Sequence, residues 1–95
     1  MTNHLIANQL LKQARKLNRN ANLYRIRSYR HAAMVLQAMD QPAAEIIKNE
    51  GRVGLAAIPG IGDHIACTIE ILLRTGRFMS WSDRKGLQPT LEKVA

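Results

Sequence analysis

Cysteine is nearly absent: Cys67 is the single thiol among 95 residues. An intrachain disulfide is therefore impossible and a cysteine-built zinc set is excluded, which suits a reducing compartment. Aromatic residues make up 4%, so aliphatic side chains and alanines must fill the core. No apolar run approaches the ~20 residues that a membrane-spanning helix needs. Asn3, His4, Asn8 and Gln9 interrupt the start, where a signal peptide would carry an unbroken apolar stretch. Acid is the most uneven shortage. No Asp or Glu precedes Asp40, yet that stretch holds Lys12, Arg15, Lys16, Arg19, Arg25, Arg27 and Arg30.

What is present follows from those gaps. The hydrophobic fraction of 46% is enough for a folded core, and the length fits one small domain. The formal net charge is +7. A like-charged block of this kind points to a polyanionic partner, nucleic acid first. A membrane surface is excluded because the basic segment lacks a strongly apolar, aromatic opposite face. A monomer in the cytoplasm, associated with the nucleoid, is expected.

Helical periodicity runs through the chain and no strand of useful length does, so the expected fold is all-α, a small four- to five-helix domain. Ile6, Leu10, Ala14 and Leu17 mark a first helix over residues 3–18. Residues 18–22 are a polar, asparagine-rich link. Ile26, Tyr29, Ala33 and Leu36 mark a second helix over residues 23–39. Pro42 opens a short third helix that stops at Gly51. Residues 52–57 make about one and a half turns. Ile65, Ile69 and Leu72 mark the last long helix, with Asp63 as its N-cap candidate and Gly76 as its stop. The domain is expected over residues 1–80. A tail follows over 81–95, where Trp81 and Leu87 fold back and residues 89–94 form a short helix.

The stretch "LAAIPGIGDHIACTIEILLRTGRF", Leu55 to Phe78, carries the chemistry. Gly60 can take a positive φ and reverse the chain between two helices. Ile61 plugs the turn into the core, and Gly62 leaves the backbone bare on the outer side. Exposed amides and the positive end of the following helix then coincide, which makes a site for an anion such as phosphate. Ala66 is small enough to let the two helices approach. This is the helix-hairpin-helix pattern. A Walker loop is excluded because no Lys-Ser/Thr follows, and a Rossmann fingerprint because no strand precedes. The second stretch, "NLYRIRSYRHAAMVL", Asn22 to Leu36, places Arg25 and Tyr29 on one helix face and sends Arg27 and Arg30 elsewhere. Guanidinium forks suit phosphate oxygens, and Tyr24 or Tyr29 can stack on a base. Tyr29 fits a core position equally well. Arg74 and Arg77 add cationic contacts near the end of the last helix. His4, His31 and His64 are scattered without metal-ligand spacing, and Cys67 reads as a buried small residue.

The two stretches together resemble the N-terminal domain of X-family DNA polymerases, the polymerase beta type and its bacterial relatives, over roughly residues 3–78. The resemblance implies a small helical unit that binds the downstream side of a DNA gap and grips a 5′-phosphate. It implies that Gly60, Ile61 and Gly62 present amides to phosphate, that Arg25, Tyr29 and His64 line the 5′-phosphate pocket, and that Tyr24 stacks on a base. It further implies a Na+ or K+ ion held by carbonyls near Ala56, Ile58 and Ile61; no other cofactor is expected. In lyase-active members a lysine on the helix after the hairpin forms a Schiff base, and that position here is Thr68, whose hydroxyl cannot make an imine. His64 also stands where the family has lysine, and Asp63 adds negative charge beside the anion site. An enzyme is therefore not expected.

Two alternatives stand beside a non-catalytic DNA-binding module. A protein-interaction module is favoured if Met34, Met39, Met79 or Trp81 is exposed. Residual lyase chemistry would have to use Lys48, Lys85 or the N-terminal amine.

Overall fold

The computed structural model describes residues 1–17 and 19–78, and for residues 19 and 21 the backbone alone. Four helices follow one another: α1 (Asn3–Lys16), α2 (Arg19–Ala38), α3 (Ala43–Ala56) and α4 (Asp63–Thr75). Among the described residues there is no strand, so the all-α expectation holds. The fifth helix expected near residues 89–94, and the packing of Trp81 and Leu87, lie outside the described residues.

The fold is two helix pairs, α1 on α2 and α3 on α4, joined where α4 meets α2. Each helix turns its apolar stripe inward. Ile6, Ala7, Leu10 and Ala14 of α1 are buried against Ile26, Tyr29, Ala33 and Leu36 of α2 and Ile65, Ile69 and Leu72 of α4 in one continuous core. Burying each of the large aliphatic side chains stabilises the fold by about 1.5–3 kcal/mol. The Tyr29 ring packs edge-on against Phe78, centroids 5.7 Å apart at 88°, which puts its body in the core.

Several boundaries differ from the sequence expectation, each for a local reason. α1 stops at Lys16 because Leu17 is extended and turns the chain. The asparagine-rich link is not wholly irregular. A helical turn begins at Arg19, and Asn22 alone leaves helical geometry (φ −128°, ψ 29°) before the long part of α2. Gly51 breaks α3 as expected, at φ 74° and ψ −173°. Asp63 is not the N-cap of α4. Gly62 holds that place in extended conformation and Asp63 is already helical, with no side-chain cap bond. Gly76 ends α4 in the left-handed conformation, its N–H donating to the Leu72 carbonyl.

α3 is capped from a distance. Its own N-cap, Pro42, offers no side-chain bond. The Asn3 side chain instead accepts from the Ala43 N–H at 2.8 Å and donates to the Gln41 carbonyl at 3.0 Å. The start of α1 is thereby tied to the start of α3, which orients the hairpin half of the molecule against the basic half.

Candidate nucleic-acid interface

The hairpin is built from the end of α3, residues 57–62 and the start of α4. Its turn closes with the Ile61 N–H donating to the Ile58 carbonyl at 2.9 Å. Gly60 has φ 94°. A Cβ there would lie 2.7 Å from the His31 ring and 2.7 Å from Val35 Cγ2, so both side chains would have to shift to admit it. Gly60 therefore answers two demands, a left-handed backbone and close approach to α2. Ile61 is 1% exposed and anchors the turn in the core. Gly62 is the reverse of Gly60: a Cβ there would meet nothing within 4 Å. Its bare backbone faces outward at the first residues of α4, where unsatisfied N–H groups and the helix dipole favour an anion.

That open face forms one wall of a groove of about 1140 Å³. The other wall is α2, through Tyr24, Arg25, Arg27, Ser28, Tyr29 and His31. Of the residues singled out from sequence, the structure brings Tyr24, Arg25, Arg27, Tyr29, Gly60, Ile61, Gly62 and His64 to this groove. Tyr24 is 86% exposed, so its ring is open to stacking. Arg25 is half-buried, and Arg27 and His64 are exposed.

Arg27 was expected to point elsewhere. Tyr24, Arg27, Ser28 and His31 share one i, i+3, i+4, i+7 stripe, and that stripe faces the hairpin. Arg25 and Tyr29 flank it on the core side. Arg30 falls on the opposite flank of α2 and lines a separate groove against α1. Arg74 and Arg77 are exposed but do not line the hairpin groove, and Arg74 pairs with Glu70 at 3.3 Å. Ser28 and His31 were missed. The heptad-like spacing from Tyr24 was the signal for both, but their contact with the hairpin depends on how α2 crosses it.

Thr68 lines the floor of the groove at 2% exposure, and its hydroxyl donates to the His64 carbonyl at 2.9 Å. Cys67 is buried, and the Arg52 guanidinium donates to its sulfur at 3.3 Å. Met34 is exposed at 66% and Met39 is half-buried, while Met79 and Trp81 lie outside the described residues. Isolated exposed methionines such as Met34 and Met1 are ordinary on a protein surface.

No His, Cys, Asp or Glu cluster among the described residues could hold a metal ion. Carbonyl oxygens remain the donors suited to a hard monovalent cation. Ala56, Ile58 and Ile61 all line the groove. The Ile58 oxygen accepts from the Ile61 N–H and keeps a second lone pair. Among the described residues no helix is long and apolar enough to cross a membrane.

Two helices joined by a short glycine-containing turn, with outward amides facing a basic helix, define a small helix-hairpin-helix unit. Residues 1–78 match the helix-hairpin-helix domain family, and the chain belongs to it. Domains of this family generally bind DNA without sequence specificity. No curated protein and no solved structure matches the chain.

Proposed function

We propose that this domain is a non-catalytic DNA-binding module that holds the phosphate backbone in the groove between the hairpin and α2. One observation carries the reading: the unobstructed backbone at Gly62 and the start of α4 share a groove with Arg25, Arg27 and His31. Amides and a helix N-terminus take one phosphate, guanidiniums take its neighbours, and none of these contacts reads a base edge. Family membership supports the same ligand.

The resemblance to the X-family polymerase domain narrows the ligand to a 5′-phosphate at a gap or end. Arg25 and His64 then hold the terminal phosphate, Tyr29 shapes the pocket wall, and Tyr24 stacks on the adjacent base. Ala56, Ile58 and Ile61 would hold a Na+ or K+ ion through their carbonyls, and that ion would neutralise phosphate charge. With Thr68 in place of the Schiff-base lysine, the module binds without cutting.

An amide NMR titration with gapped duplex DNA at low salt, with and without the 5′-phosphate, tests the reading. The expected result is shifts centred on residues 60–65 and on residues 24–31, larger with the phosphate. Equal shifts with both DNAs reduce the reading to general backbone binding. Shifts spread thinly over every basic residue, or none, would make the hairpin a scaffold and turn attention to a protein partner.

A further inference from the structure

α2 has a second flank. Where it packs on α1, another open groove of about 490 Å³ is lined by Leu11, Ala14, Leu17 and Ile26, with Arg15 and Arg30. The two arginines are exposed, whereas the aliphatic residues are buried or half-buried. The groove thus pairs an apolar lining with two cations. Neither guanidinium here pairs with a carboxylate of the described residues. No acid precedes Asp40 in the chain, and both helices that form the groove are acid-free.

We propose that this α1–α2 groove is a second nucleic-acid contact, taking an unpaired strand that leaves the hairpin groove and crosses α2. The inference rests on the DNA-binding reading above. Bases of the strand lie against the half-buried Leu11 and Leu17, and its phosphates meet Arg15 and Arg30. Position favours a nucleic-acid strand over an acidic peptide. The two grooves lie on two flanks of one helix, and a helix with its side chains is only about 10–12 Å across. At ~3.4 Å or more per nucleotide along a strand, a few unpaired nucleotides span that distance.

The test compares two probes, a short blunt duplex with a 5′-phosphate and the same duplex with about six unpaired nucleotides on the opposite strand, a length within the usual single-strand site sizes. Wild-type protein is expected to bind the extended probe more tightly. Two additional phosphate contacts on a single strand steepen the salt dependence by about 1.4 in log–log slope, so the gain changes about 25-fold over a tenfold range of salt. The Arg15→Gln/Arg30→Gln protein is expected to lose that gain and keep its affinity for the blunt probe. Arg15→Lys/Arg30→Lys restores most of the slope, which separates lost charge from lost fold. A gain under twofold in the wild type, or a gain that survives the Gln pair, overturns the second contact while blunt-duplex binding still stands. Failure of the wild type to bind either probe overturns the DNA reading and this inference together. An acidic leucine-bearing peptide that binds through Arg15 and Arg30, with no overhang effect, would assign the groove to a protein.

Discussion

Gly60 and Gly62 are two residues apart and do opposite work. Gly60 sits at φ 94° with the His31 ring and Val35 where a Cβ would go. Gly60→Ala should cost about 2–4 kcal/mol, from left-handed strain and overpacking together. A drop in thermal midpoint on the order of 10 °C or more is expected for a domain this small. Gly62→Ser should leave stability unchanged or slightly raised, because serine is a good N-cap and its Cβ enters open space. Its hydroxyl would occupy the amides offered to phosphate, so DNA affinity should fall about three- to tenfold, as expected for one lost hydrogen bond of about 1 kcal/mol. Thermal melts and fluorescence titrations on the two variants separate fold from binding. If Gly62→Ser binds as the wild type does, the amides are not the contact. Thr68 is the third informative residue. Its buried hydroxyl carries no nitrogen from which an imine could form, so borohydride trapping on an abasic DNA end should give no covalent adduct. An adduct would restore the lyase reading and send the search to a lysine elsewhere. The glycine turn and the missing lysine were both legible in the sequence. The contact between Gly60 and His31 was not, since it joins residues from different helices.

Helix ends carry a weaker sequence signal than helix faces. The apolar stripes of α1, α2 and α4 were read directly, because burial on one face imposes a 3.6-residue period that the sequence must carry. Caps depend on a few local torsions. Asp63 has the right chemistry for an N-cap, yet Gly62 takes the position because Ile61 must enter the core just before it. The cap of α3 comes from Asn3, 40 residues away. Asn3→Ala should leave the Ala43 N–H unsatisfied and cost about 1–2 kcal/mol. Asn3→Asp should retain most of that, since it keeps the acceptor and places negative charge at a helix N-terminus. Urea unfolding of the three proteins checks the order. Equal loss in both variants would mean that the bond to the Gln41 carbonyl matters more than the cap.

The charge distribution is a property of the whole molecule. Basic residues fill α1 and α2, and acids begin only at Asp40, after α2 has ended. The folded domain therefore presents a positive half and a hairpin half that meet along the groove. If about four phosphates are contacted, affinity should fall on the order of 10²-fold between 50 and 200 mM salt. Duplexes of different sequence should bind alike. A flat salt response, or strong preference for one sequence, would contradict backbone recognition.

Helical class, the hairpin and the basic charge distribution were all legible along the chain. They depend on periodicity, glycine placement and charge count, which are local or additive. The second side of the groove was not. Arg27 and His31 join the hairpin, Arg30 turns to α1, and Asn3 reaches α3 because of how the helices cross. Crossing is set by the fit of side chains over the whole core, and no short window of sequence contains that fit.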